Sequence, residues 1–152
     1  MQTLTTDNLN ELRKQVQKLK KDNPQEQIAV LSQDEEFNRK ALEIKIDFLI
    51  INEEQDKKDY SKQRNSDLNE VLAKLAEKNS ISIAIDLDKI IKKNNVEQAK
   101  SLARLKQNIM LSKKAGTKIV FLTKSRKKQE LQAILISLGA STKQASDALF
   151  FN

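Results

Sequence analysis

Short apolar runs alternate along this chain with longer segments in which apolar residues recur every three or four positions. The short runs have the length of buried strands, and the longer segments have the period of amphipathic helices. The predicted strands are 2–5, 27–31, 47–51, 81–85 and 118–122. The predicted helices are 7–23, 32–45, 67–79, 96–115, 125–139 and 142–149, with 86–94 either a loop or a short helix. Gly116 is predicted to form the C-terminal turn of the helix 96–115. Such alternation predicts an α/β domain with a mainly parallel sheet and right-handed crossovers.

The segment 66–91 has the clearest pattern of helix and strand residues in the chain. One face of its predicted helix is formed by four apolar residues, Leu68, Val71, Leu72 and Leu75. Ser66 or Asp67 is expected to cap the start of this helix, and Asn79 to take the left-handed position that ends it. The following run 81–85 alternates isoleucine with small residues, which predicts a strand covered on both faces.

The charge balance of the chain favours a polyanionic partner. The 152 residues fit one domain, 1–152, and carry 28 basic against 21 acidic side chains, for a net charge of +7. Such an excess favours RNA or DNA over an acidic protein or a membrane, although a solvated lysine-rich surface gives the same count. Since no apolar run reaches the length of a membrane span and no signal peptide is evident, we expect a cytoplasmic protein.

The chain has neither histidine nor cysteine. Serine–histidine and cysteine–histidine nucleophile systems are therefore excluded, as are histidine-based zinc sites. An enzyme built from this chain would have to use carboxylates, lysines, hydroxyls or its one tyrosine.

Three segments together resemble a known family. They are LNEVLAKLAEKN at 68–79 with the strand after it, VEQAKSLARLKQNIMLSKKAGTKIVFLTKS at 96–125, and LQAILISLGASTKQASDAL at 131–149. In order and spacing they resemble the ribonuclease P protein component 3 family of archaea and eukaryotes. The chain departs from the family pattern at Glu70, where a histidine is common, at 88–89, where a proline is common, and between Ser125 and Leu131, where an insertion is often found. It also lacks the family's first strand–helix units.

The resemblance implies a fold and a function. The fold would be an α/β, TIM-barrel-like (PHP-like) parallel sheet surrounded by helices, incomplete or short because a full barrel needs about 200 residues or more. The function would be that of a protein subunit of ribonuclease P, which removes the 5′ leader of precursor tRNA. Its partners would be the ribonuclease P RNA, precursor tRNA and ribonuclease P protein component 2, in a two-plus-two assembly. The RNA would be the catalyst and would use Mg²⁺, with no catalytic residue and no cofactor on this chain.

Basic residues are the candidate RNA contacts. Lys78 and Lys114 match basic positions of the family pattern, and both are expected at helix C-termini. The others lie after the fifth predicted strand or in the charged loop 53–65, and they are Lys124, Arg126, Lys127, Lys128, Lys57, Lys58 and Arg64. For lysines at helix C-termini, stabilisation of the helix dipole explains the charge as well as a phosphate contact does.

Two other functions remain open from the residues alone. Carboxylates beyond the strand ends could hold Mg²⁺ for phosphate-ester hydrolysis, or could simply cap helices. They are Asp34, Glu35, Glu36, Glu53, Glu54, Asp86 and Asp88. The second alternative is an adaptor that binds another protein through an open edge of the sheet.

Overall fold

The computed structural model describes residues 1–52, 58–59, 61, 63–123 and 127–151, and of 149–151 it describes the backbone. Its strands are β1 (Gln2–Leu4), β2 (Ile28–Leu31), β3 (Phe48–Ile50), β4 (Ser82–Asp86), β5 (Ile119–Leu122) and β6 (Leu149–Phe151). Its helices are α1 (Leu9–Asp22), α2 (Glu35–Ala41), α3 (Glu70–Lys78), α4 (Leu87–Ile91), α5 (Asn95–Ala115), α6 (Lys128–Ser137) and α7 (Thr142–Asp147). No helix of the described chain is long and apolar enough to cross a membrane.

The strands form one parallel sheet in the order β1-β2-β3-β4-β5-β6. Each strand thus lies beside its neighbour in sequence, as in a TIM barrel, whereas a doubly wound sheet reverses direction part-way. Within the described residues the outer edges of β1 and β6 pair with no further strand. The predicted incomplete TIM-barrel-like sheet is confirmed.

Two apolar layers hold the sheet in place. The larger layer lies between the sheet and the helices, and Phe121, Ile83 and Leu105 are almost fully buried in it. The smaller layer lies on the other face of the strands and is formed by Ala29, Phe48, Ile50, Ala84 and Val120. Because successive side chains of a strand point to opposite faces, a strand such as β4 is apolar on both. The predicted two-sided burial of this strand is confirmed, since its residues 82–85 are all buried.

The sequence analysis missed one strand and left one helix open. Leu149, expected as the end of a helix, begins the strand β6, and α4 is the short helix that was one of the two alternatives for 86–94. A three-residue strand is too short to show the alternation that identifies strands in a sequence. The helix α2 also ends at Ala41 instead of residue 45, and α6 begins at Lys128 instead of residue 125.

Helix α3, in the segment 66–91, is shorter than predicted, and the face that it buries differs from the expected one. Its N-cap is Asn69, whose side chain accepts from the Leu72 N–H at 2.9 Å, so the prediction of Ser66 or Asp67 is wrong. Val71 is 60% exposed, against the prediction of burial. Small residues at 73 and 76 face the core instead, since α3 packs closely on α5.

The turn after α3 also differs from the prediction. Ser80, with φ of 57°, occupies the left-handed region, while Asn79 has φ of −95°. The Asn79 side chain instead donates to the Leu42 carbonyl at 2.6 Å and so ties this turn to the end of α2. Gly116 ends α5 with φ of 85°, as predicted.

Candidate nucleic-acid interface

The predicted RNA contacts lie at two different edges of the sheet. We call the edge at which the strands begin the amino edge, and the edge at which they end the carboxyl edge. Lys78 and Lys114 lie in the last turns of α3 and α5, which lead into β4 and β5 at the amino edge. Lys127 and Lys128 follow β5 and open α6 at the carboxyl edge. The structure therefore places these four described residues at two separate edges of the sheet, two at each.

The charge of Lys114 is partly neutralised within the protein. Its Nζ lies 3.1 Å from Glu70 Oε2, and Lys74 Nζ lies 3.1 Å from the other oxygen of the same carboxylate. Hydrogen bonds from Lys74 and then Lys114 lower the pKa of Glu70 from its ordinary value.

The remaining predicted contacts divide by exposure and pairing. Lys58, Lys78, Lys127 and Lys128 are exposed, and no ion pair of theirs is found within the described residues. Arg64 pairs with Asp59 at 3.3 Å. The other three predicted residues, Lys57, Lys124 and Arg126, lie outside the described residues.

Asp59 anchors the described part of the charged loop to α5. Its carboxylate accepts from the Asn65 N–H at 2.9 Å and pairs with Arg104 of α5 at 3.1 Å. Burial raises the pKa of Asp59, but the hydrogen bond from Asn65 and the charges of Arg104 and Arg64 outweigh it and hold that pKa below its ordinary value. Arg104 and Arg64 are thus committed to loop structure, which weakens the prediction of Arg64 as a phosphate contact.

Carboxylates at the carboxyl edge have local structural partners. Asp34 accepts from the Phe37 N–H at 2.8 Å and caps α2, and Asp86 accepts from the Lys89 N–H at 3.1 Å and caps α4. Asp88 accepts from the Thr123 hydroxyl at 2.8 Å. Glu53 and Glu54 lie outside the described residues. Among the residues that the structure describes, no group of three or more acidic side chains is arranged to hold a metal ion.

A buried polar network, which we call the Asp67 network, lies at the same edge. The Ser32 hydroxyl donates to Asp67 Oδ2, and the Asn52 N–H lies 2.8 Å from Ser32 Oγ and 3.2 Å from Asp67 Oδ2. Asn38 adds a longer bond from its amide to the Asp67 carbonyl at 3.4 Å. Asp67 has φ of 59° and is 9% exposed, so backbone strain is held in place by this network.

A cavity of about 260 Å³ opens at the amino edge between the end of α5, the start of β5 and α7. Three lysines line it, Lys113, Lys118 and Lys143, together with Asp147. We call this the basic cavity. Lys113, like Lys78 and Lys114, is a lysine at a predicted helix C-terminus, where the helix dipole explains the charge as well as a phosphate contact does. Lys118 and Lys143 were missed because nothing in sequence spacing brings these positions together. The only available signal was that Lys118 follows a predicted glycine turn and directly precedes a buried strand.

Comparison with known proteins agrees with this architecture. No protein-family model matches the chain. Ribonuclease P protein component 3 of Methanococcus vannielii is 32% identical over 117 residues, which are 77% of this chain and 47% of the relative. The chain belongs to the ribonuclease P protein component 3 family. It spans about half the length of this curated relative.

A solved structure shares the fold of this family member. A chain of a cryo-EM structure of archaeal ribonuclease P with mature tRNA superposes with a TM-score of 0.75, at 23% identity. The match covers 95% of this chain and 62% of the other. At this identity the likeness establishes the fold alone.

Proposed function

We propose that this chain is a protein subunit of ribonuclease P and supports the RNA that removes the 5′ leader of precursor tRNA. The observation that carries the proposal is the 32% identity to component 3 across 117 residues. The net charge of +7 supports it, because a protein that accompanies a structured RNA neutralises phosphates. Its site of action would be the cytoplasm.

The partners we propose are the ribonuclease P RNA, precursor tRNA and protein component 2. The contacts of this chain with RNA would be mainly to phosphates, since the sequence has no tryptophan and one tyrosine on which bases could stack. The best candidates among the predicted residues are those that are exposed and free of ion pairs within the described part of the chain, namely Lys58, Lys78, Lys127 and Lys128. The Mg²⁺ of the reaction would belong to the RNA, with none held by the protein.

Cleavage of precursor tRNA by the cognate ribonuclease P RNA at limiting Mg²⁺ tests the proposal. Three reactions are compared: RNA alone, RNA with component 2, and RNA with component 2 and this chain. The expected result is strong stimulation in the third reaction only. Equal rates in the second and third reactions, with this chain folded by circular dichroism, would contradict the subunit role.

The salt dependence of binding separates the subunit from an adaptor. A phosphate-binding protein loses affinity steeply as salt rises, with a slope set by the number of phosphates neutralised. An adaptor that pairs through the sheet edge would form its complex nearly independently of salt. Titration of labelled ribonuclease P RNA at 50 to about 200 mM salt therefore measures which kind of partner the chain prefers.

A further inference from the structure

The first strand of the sheet has an open outer edge. β1 pairs with β2 on its inner side, where Gln2 donates its N–H to the Gln27 carbonyl at 2.8 Å. Because successive residues of a strand direct their backbone groups to opposite sides, the N–H and C=O of Thr3 point away from β2. Within the described residues no further strand pairs with them. An unpaired edge of this kind is a template for a strand of another chain.

β1 lacks the features that commonly protect an edge strand. Proteins block such edges with lysine, proline or a covering segment. The residues 2–6 have the sequence QTLTT, which contains neither a charge nor a proline, and threonine favours strands. A groove of about 610 Å³ runs between these five residues and α1, so the helix leaves the edge open. The edge is therefore available for pairing.

The α1 wall of this groove carries opposite charges at its two ends. Glu11, Gln15 and Lys18 line the wall, and their spacings of four and three residues place them on one stripe of the helix. Glu11 lies at the carboxyl end of β1, since its carboxylate accepts from the Thr6 hydroxyl at 3.0 Å and from Gln15 Nε2 at 2.8 Å. Lys18 lies two turns away, about 10 Å along the helix axis, which is too far for an ion pair with Glu11. Both charges are exposed, and within the described residues neither is held in an ion pair.

A second copy of this chain fits the groove because the charge pattern is complementary to itself. Antiparallel pairing of two β1 edges has a two-fold axis perpendicular to the sheet, which keeps both copies of α1 on the same face. Strands lie about 4.8 Å apart, so helices that lie over the strand pairs on either side come within about 10 Å, the distance of packed helices. Such an axis places Glu11 of each copy opposite Lys18 of the other, with both Gln15 side chains near the axis.

We propose that the β1 edge and α1 form a symmetric interface between two copies of this chain. Self-association of this kind needs no RNA and goes beyond the proposed function. Each copy carries a net charge of +7, so long-range repulsion opposes it and the Glu11–Lys18 pairs offset that repulsion locally. One strand edge and one helix stripe make a small interface, and we expect a Kd on the order of 10 µM.

Sedimentation equilibrium of the full chain without RNA, at about 1 to about 300 µM, measures the dimer. Glu11→Lys and Lys18→Glu each place like charges opposite one another, and each should weaken association on the order of tenfold. The two changes together restore opposite charges and should return the Kd to near that of the wild type. Lys14→Glu is the control, because it makes the same charge change on α1 at an exposed position that does not line the groove. It should shift the Kd by about twofold or less, through the lower net charge.

A mixture of the two single variants tests the two-fold symmetry directly. In a dimer of one Glu11→Lys copy and one Lys18→Glu copy, both pairs again join opposite charges. The equimolar mixture should therefore associate about tenfold more tightly than either variant alone. Thr3→Pro tests the backbone pairing, because it removes the outward N–H and leaves the bonds to β2 in place. We expect it to abolish the dimer, with each variant shown to be folded by circular dichroism.

The outcomes separate a second copy from other occupants of the edge. A monomer at every concentration overturns the interface, and the cleavage assay of the proposed function is unaffected by that result. Growth into larger oligomers would mean that β1 of one copy pairs with β6 of the next, which overturns the two-fold axis. A dimer that survives Thr3→Pro, or whose Kd is the same in both charge-reversed variants, overturns the β1 edge as its interface.

Discussion

Polar residues at the two edges of the sheet differ in whether they have partners within the protein. At the carboxyl edge, Asp34, Asp86 and Asp67 accept hydrogen bonds from nearby backbone or hydroxyl groups. At the amino edge, the three lysines of the basic cavity have no ion-pair partner within the described residues, and Ser112 and Gln144 keep unpaired atoms. Polar groups with internal partners are explained by folding. Exposed lysines left unpaired at a cavity wall are the better candidates for binding, although both kinds look alike in the sequence.

The largest expected effect is on stability, at the carboxyl edge. Asp67→Ala removes the acceptor of Ser32 and Asn52 and places alanine in the left-handed region. We expect the free energy of unfolding to fall by about 3 kcal/mol, from lost buried hydrogen bonds and added strain. Urea denaturation measures it. Asp67→Asn keeps an acceptor and a residue that tolerates this backbone, so it should cost clearly less; equal losses would mean that the network does not hold the edge.

A smaller effect separates the residues of the basic cavity that the fold needs from its unpaired surface lysines. Thr117 lines the cavity, but its hydroxyl donates to the Ala73 carbonyl at 2.7 Å and joins α3 to the end of α5. We expect Thr117→Val to lower the free energy of unfolding by about 1 kcal/mol. Lys118→Gln and Lys143→Gln should each stay within about 0.5 kcal/mol of the wild type, as unpaired surface charges do. A loss of 1 kcal/mol or more in either lysine variant would show that the fold needs that charge.

Two substitutions in the turn between α3 and β4, at the amino edge, should change the free energy of unfolding in opposite directions. Ser80→Gly removes left-handed strain at the cost of greater unfolded-state freedom, for an expected net gain of about 0.5 kcal/mol. Asn79→Gly loses the hydrogen bond to Leu42 and should destabilise by about 1 kcal/mol. Thermal unfolding of both variants compares them directly. Stabilisation by Asn79→Gly would restore the original prediction that residue 79 is the left-handed position.

Prediction from the sequence succeeded where local chemistry decides the structure. The alternation of strand and helix fixed the fold class, and Gly116 marked the end of α5 because a left-handed residue there is most easily glycine. The prediction placed Val71 on the buried face of α3, and this was wrong. The close packing of α5 against small residues of α3 determines which side of α3 is buried. Helical periodicity alone does not carry that information.

The candidate site was less predictable than the fold. Lys78 and Lys114 came from the family resemblance, and the structure pairs only Lys114 with an acidic neighbour, Glu70. The basic cavity joins residues that are 25 to 30 positions apart, Lys113 or Lys118 with Lys143, and their proximity depends on the crossover from β5 to β6. Only tertiary structure distinguishes these lysines from others on the surface.

The smallest expected effect concerns Asp59, which is paired like the carboxylates of the carboxyl edge but lies on an exposed loop. Its lowered pKa means that the folded state binds its proton less readily than the unfolded chain does, whose pKa is near 3.9. The pairing therefore adds stability above that pH, and this contribution is lost as the pH falls through the lower folded-state pKa. Because the pair is solvent-screened, we expect only a few tenths of a kcal/mol.

Urea denaturation of the wild type and Asp59→Asn, at pH 7 and near pH 3, measures this contribution. The wild type should be slightly more stable than the variant at pH 7, and the difference should shrink in acid. Arg104→Gln is the matched test of the partner and should remove the same pH-dependent difference. A difference that is the same at both pH values would mean that Asp59 holds the loop by hydrogen bonds to Asn65 that asparagine cannot replace, with no contribution from charge. In that case charge pairing would not distinguish this loop from the neutral hydrogen-bonded turns of the amino edge.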